Sequence, residues 1–174
     1  METLQAIAER KSVRKYREQQ LADDVLDRIL AAGCAAPVAM GRYQDLQLTI
    51  VQDKGILKRI SDGIVQIMNR RDDPLFAVPT LVLVSHTEEV RVTGLDYANA
   101  ACVIENMLLA ATDLGIGSVF IWGSALAVEA DADLKKAVGI PDGFKALASV
   151  ALGYPESDKP RERELAITVS TNRV

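Results

Sequence analysis

The chain is short of the residues on which many enzyme classes depend. It has one histidine, His86, and two cysteines, Cys34 and Cys102, which stand far apart and form no Cys-x-x-Cys pair. That ligand count excludes a zinc site of the usual Cys/His type. A Ser-His-Asp hydrolase would rest on His86 alone, and no G-x-S-x-G nucleophile motif accompanies it. Both cysteines sit in alanine-rich surroundings and are expected to be buried packing residues. A basic excess is missing as well: 20 Lys+Arg face 24 Asp+Glu, for a net charge of −4. Binding to a nucleic-acid backbone calls for the opposite balance on at least one face. No apolar run reaches the roughly 20 residues of a membrane span. The opening METLQAIAERKSVRKY lacks the apolar core of a secretory signal, so a cytoplasmic location is expected.

Aromatic residues are also scarce, at 5%, while hydrophobic residues reach 49%. The core must therefore be built from Ala, Val, Leu and Ile, and enough apolar surface remains for a subunit interface. At 174 residues the expectation is one α+β domain spanning the chain.

Residues 2–9 read as a short helix. A second helix starts at Asp23 or Asp24, carries Val25, Leu26, Ile29 and Leu30 at helical spacing, and stops before Pro37. Leu46–Val51 alternates as a strand, Ile56–Met68 is an amphipathic helix, and Pro79–Ser85 is a β-branched run suited to a central strand. Leu95–Leu114 is apolar around almost its whole circumference, which predicts a helix buried on more than one side, partly by a second subunit. Further strands are expected at Ser118–Trp122 and Ala146–Leu152, with a short helix at Ala130–Val138 between them. The run Leu165–Val169 reads as a strand in need of an edge to pair with.

Chemistry concentrates in two small basic clusters. Arg10 and Arg14 flank Ser12 where the chain leaves its first helix, and Lys159-Pro160-Arg161-Glu162-Arg163 lies near the other end. Guanidinium forks and a hydroxyl suit a small anion such as a phosphate. Either cluster alone also fits a solvated surface; together they matter only if the fold joins them.

Five segments in order resemble the FMN-dependent nitroreductase family. Arg10-Lys11-Ser12-Val13-Arg14-Lys15-Tyr16 is similar to the family's R-x-S-x-R-x-[FY], and Ala36–Met40 to its A-P-[ST]-x-x loop. Pro79–Val84 is similar to its A-P-x-x-[IV]-x-V strand, and Glu105–Ser118 to its Q-N-M-x-L-A-A-x-x-L-G-L-G-S helix. Leu152–Pro155 followed by Lys159–Arg161 matches its usual C-terminal end. The resemblance implies a mixed, largely antiparallel sheet flanked by helices, in a homodimer with FMN sites between subunits and the C-terminal strand crossing to the partner. It implies that Arg10, Lys11, Ser12, Arg161 and Arg163 hold the FMN phosphate and that Arg14 stabilises negative charge at the flavin N1/O2 edge. Pro37, Val38, Ala39 and Met40 would border the flavin of the other subunit. Trp122 and Gly123 would bring backbone N–H groups to N5, glycine allowing close approach. Asn69 has two readings, a bond to the pyrimidine edge or the end of a helix.

The implied reaction is ping-pong hydride transfer from NADH or NADPH through flavin N5 to a nitroaromatic, a quinone or a similar small acceptor. No side chain need act as a general acid. The rival is a flavin-binding carrier or sensor with little turnover. Val38 stands where the family usually has Ser or Thr, and Gly41–Asp45 departs from the common N-x-Q-P-W, so the substrate mouth is the part the resemblance specifies least.

Overall fold

The computed structural model describes residues 1–157 and 163–174. In chain order the elements are α1 (Thr3–Glu9), α2 (Asp23–Cys34), β1 (Leu46–Val51), α3 (Lys54–Met68), β2 (Thr80–Thr87), α4 (Leu95–Asp113), β3 (Gly117–Ile121), α5 (Gly123–Ala130), α6 (Ala132–Ala137) and β4 (Phe144–Gly153). Two short 3-10 turns, Ala39–Gly41 and Tyr43–Asp45, lead into β1.

The four strands form a sheet in the order β1-β2-β4-β3, and every neighbouring pair is antiparallel. This matches the mixed, largely antiparallel sheet that the resemblance implied: among the described residues the parallel element is the isolated bridge between Ser12 and Ser118. β2 is central and buried on both sides from Thr80 to His86, as its unbroken β-branched run requires.

Alternate residues divide the sheet's two faces. On one, Leu81, Leu83, Val119, Ile121 and Ala151 pack with Leu57, Ile60 and Ile64 of α3 and with α5 and α6. On the other, Val82, Val84, Val150 and Leu152 pack with Leu26 and Ile29 of α2 and with Val103, Ile104 and Met107 of α4. A bulge opposite Val84/Ser85 places both Leu147 and Ala148 on this second side.

Local signals fix the helix ends. Asp53 accepts from Ile56 N at 2.9 Å to start α3, which stops at Asn69 in the left-handed conformation (φ 49°, ψ 46°). Asp131 accepts from Leu134 N at 2.9 Å to start α6. The turn from β3 into α5 is held by two buried hydroxyls. Ser124 Oγ lies 3.1 Å and Ser149 Oγ 3.2 Å from the Ile121 carbonyl, and the two hydroxyls are 2.7 Å apart.

Two expectations are corrected, and a third finds no edge within one chain. The helix expected at Ala130–Val138 is present as α6, but it is preceded by an unexpected helix, α5, because the small residues after Trp122 run helically up to the Asp131 cap. Cys34 is exposed and Cys102 only half-buried, because each lies on the outer side of its helix. Leu165–Val169 pairs with no edge of its own chain among the described residues: residues 164–174 are exposed, with Leu165, Ile167 and Val169 open to solvent. Among the described residues, no helix is long and apolar enough to cross a membrane.

Candidate functional site

The basic segment 10–17 runs along the edge of the sheet, fastened at several points. Val13 N donates to Ser118 O at 2.9 Å, Ser12 bridges Ser118, and Arg17 N donates to Tyr154 O at 2.8 Å. Glu156 N returns a bond to Lys15 O at 3.2 Å. Tyr16 is buried and its hydroxyl donates to Val13 O at 2.7 Å; burial pushes its phenol pKa upward, so it stays a neutral donor. A β-carbon at Gly117 would meet Val13 Cγ1 at 2.9 Å, so glycine is what lets this segment lie against β3. A shallow depression of about 370 Å³ results, lined by Lys11, Ser12, Val13, Arg14 and, from the exit of β4, Pro155, Glu156 and Ser157.

Both ends of the chain meet here. Arg163 Nη2 donates to Ile7 O at 2.6 Å, in the last turn of α1, three residues before Arg10. Its Nε is buried and has no hydrogen-bond partner among the described residues. A buried donor without an acceptor is costly, and this one lies beside the N-terminal basic cluster. Arg10 caps α1 and places Nε 3.7 Å from Glu105 Oε1 of α4. Arg161 falls outside the described residues.

Trp122 and Gly123 stand at the far end of β3, about 13 Å along the strand from Ser118 at the usual rise. Trp122 is exposed. Gly123 opens α5, and a β-carbon there would meet Ile64 Cγ2 at 2.9 Å and Met68 Sδ at 3.1 Å. Close packing of α5 on α3 therefore already demands glycine at this position. Asn69 is exposed and serves as the left-handed cap of α3, the helix-ending reading.

Pro37, Val38, Ala39 and Met40 lie outside the depression, packed toward α4. Val38 joins the core against α4. Ala39 N donates to the buried Asn99 Oδ1 at 3.1 Å, and Met40, at φ 57°, projects into solvent. The structure thus lines one depression with Lys11, Ser12 and Arg14, sets Arg163 within one helical turn of Arg10, and holds Val38 and Ala39 against α4 away from that depression.

Sequence reasoning passed over the loop after α3. Asp73 accepts from Ser61 Oγ at 2.6 Å, Leu75 N at 2.9 Å and Ala77 N at 2.6 Å. Desolvation pushes its pKa up, yet these three bonds outweigh that and hold it below the ordinary carboxylate value. Phe76 follows, and the Arg14 guanidinium carbon lies over its ring, 5.8 Å from the centroid. The available signal was Asp-Pro between two apolar runs, a turn dipeptide.

Comparison with known proteins extends these observations. Residues 7–154 match the model of the nitroreductase family. A protein of Archaeoglobus fulgidus, provisionally named NADH dehydrogenase/NAD(P)H nitroreductase, is 31% identical over 160 residues, covering 91% of this chain and 88% of that protein. The crystal structure of a nitroreductase with bound FMN from Bacteroides fragilis superposes with a TM-score of 0.81 at 30% identity, covering 100% of this chain and 98% of the other. A second FMN-bound nitroreductase structure, from Desulfitobacterium hafniense, gives a TM-score of 0.83 at 23% identity, with 98% of each chain covered, and bears on the fold alone.

Proposed function

The chain belongs to the nitroreductase family, and on that premise we propose that it is an FMN-dependent oxidoreductase using NADH or NADPH, working in the cytoplasm as a homodimer of single-domain subunits. The observation that carries the reading is the buried Nε of Arg163, which has no hydrogen-bond partner among the described residues and lies at the end of α1 beside Arg10. A phosphate oxygen is the acceptor such a donor set suits. When bound, FMN supplies flavin N5, through which hydride passes ping-pong from the nicotinamide to a nitroaromatic, a quinone or a similar small acceptor.

The chain's own residues bind and polarise. Arg10, Lys11, Ser12 and Arg163, with Arg161, would grip the phosphate. Arg14 would place positive charge at the N1/O2 edge, where negative charge arrives with a hydride. Trp122 and Gly123 would offer backbone N–H groups at the N5 side. Asn69, left exposed by its cap role, would face the pyrimidine edge. A second subunit would supply Pro37, Val38, Ala39 and Met40, since in the same chain this loop is held against α4 and does not line the depression at residues 11–15. The exposed alternation Leu165, Ile167, Val169 gives the C-terminal run one apolar side to lay on that subunit's sheet.

The test is an absorbance spectrum of protein mixed with FMN, then anaerobic bleaching with each nicotinamide and reoxidation by menadione or nitrofurazone. Bound flavin that bleaches and recovers over many cycles is expected. A protein that takes up no FMN would overturn the reading, and flavin that binds but does not turn over would make it a carrier or sensor instead.

A further inference from the structure

Phe76 reaches its place under Arg14 by an unusual backbone path. Phe76 (φ 58°) and Ala77 (φ 50°) are consecutive residues in the left-handed region, and neither is glycine, asparagine or aspartate. Side chains with a β-carbon avoid that region, and a bulky aromatic does so most strongly. Such a pair persists only where its surroundings over-determine it.

Here the determinant is Asp73. Its carboxylate accepts from Leu75 N and Ala77 N, so it bonds the backbone on both sides of Phe76, and from Ser61 Oγ, which ties the loop to α3. Val78 N donates to Leu75 O at 3.1 Å, and Leu75 and Val78 are buried as anchors at either end. Phe76 is half-buried against the same core that holds Val13. Arg14 is exposed and one residue beyond Val13, and the Phe76 ring lies under its guanidinium.

We propose that Asp73 and Phe76 are positioning residues for Arg14: the strained loop fixes where its charge stands and so sets the reduction potential of the bound flavin. This rests on the proposed function, in which Arg14 faces the flavin. Strain stored next to a charge that acts on the reaction gains a purpose that packing alone does not give it.

The experiment is equilibrium reduction of the FMN-loaded protein against a reference dye, for wild type, Arg14→Gln, Phe76→Leu, Asp73→Asn and the two doubles with Arg14→Gln. Phe76→Leu keeps apolar bulk and loses the π face. Arg14→Gln is expected to disfavour reduction by roughly tenfold, about 30 mV for a two-electron couple. Phe76→Leu and Asp73→Asn are expected to shift the potential the same way by severalfold, and to add nothing once Arg14 is gone. Should Asp73→Asn fail to fold by circular dichroism, Ser61→Ala removes one of the three bonds and is expected to give a smaller shift of the same sign. The proposal is overturned if Arg14→Gln lowers the potential while the Phe76 and Asp73 variants stay at wild type, or if their shifts persist in full without Arg14. An unchanged potential in Arg14→Gln overturns both the positioning and Arg14's place at the flavin. Absence of FMN uptake by wild type would instead remove the functional reading beneath it.

Discussion

The helices on the two faces of the sheet meet the outside differently. α3 buries Leu57, Ile60 and Ile64 and turns Lys58 and Asp62 outward, paired at 2.7 Å and well exposed. α4 buries a broader stripe yet still exposes Tyr97, Ala98 and Ala101, with Cys102 half-buried beside them. Phe120 of β3, on the same side of the sheet, is 42% exposed. Along most of α3 the outward side is charged, with Ile67 and Met68 exposed only at its C-terminal end, whereas α4 presents a mostly small and apolar outer side interrupted by Glu105. A helix apolar nearly all round needs cover on more than one side, and the proposed dimer would provide it.

The strongest way to break this contrast is Ala101→Glu on α4. Burying an unpaired carboxylate in a subunit contact costs several kcal/mol, which is a loss of at least a hundredfold in dimer affinity. Sedimentation at micromolar protein should then show a one-subunit species. The matched change on α3, Gln66→Glu, should leave the mass untouched. If both variants sediment like wild type, the exposed side of α4 is not the subunit contact.

Inside the two layers the packing is equally tight, and a methyl group tests it. Gly123→Ala drives a β-carbon against Ile64 Cγ2 at 2.9 Å, and Gly33→Ala drives one against Met107 Cγ at 2.8 Å. Each should lower stability by about 1–3 kcal/mol, read as a reduced urea midpoint. A loss confined to one of them would show that the layers differ within as well as outside.

The smallest effect is a pH-dependent one. Asp96, buried in the first turn of α4, lies 2.7 Å from Lys145 Nζ. Desolvation raises its pKa, but the bond from Lys145 and the backbone N–H of Tyr97 more than compensate, and the net direction is downward. A depressed carboxyl stabilises the fold above its unfolded value of 3.8 and ceases to do so as pH falls through the folded value. Asp96→Asn should therefore cost about 1–2 kcal/mol at pH 7, and the gap from wild type should close below pH 4. Asp62→Asn on the water-facing side of α3 should change stability by no more than about 0.5 kcal/mol at either pH.

Much of this architecture was readable from pattern. The β-branched run at Pro79–Ser85 and the stripe along Ile56–Met68 each admit one period, and β2 and α3 follow within a few residues. α5 escaped because Gly-Ser-Ala-Leu-Ala-Val-Glu-Ala is buried on nearly every side and so shows no amphipathic rhythm. The cysteines misled for a related reason: alanines surround them on α2 and α4 both inward and outward, so composition did not reveal which side they take. At the site, the Arg10–Arg14 spacing was legible. The hold of Asp73 on Phe76 was not, because left-handed residues are read from glycine or asparagine, and here a carboxylate three residues upstream imposes the conformation. The alternation in Leu165–Val169 was visible, but a ladder needs a second edge, and none lies within reach in one chain.

The contact between Arg163 and Ile7 joins residues 156 positions apart. Loops that long close late, after local helices and hairpins have formed. The sheet can therefore assemble before residue 163 is made, while the proposed anion grip stays open until that residue has emerged. Cofactor capture would then follow sheet assembly, and a nascent chain halted after β4 would carry a finished sheet with nothing to hold a phosphate from its C-terminal side.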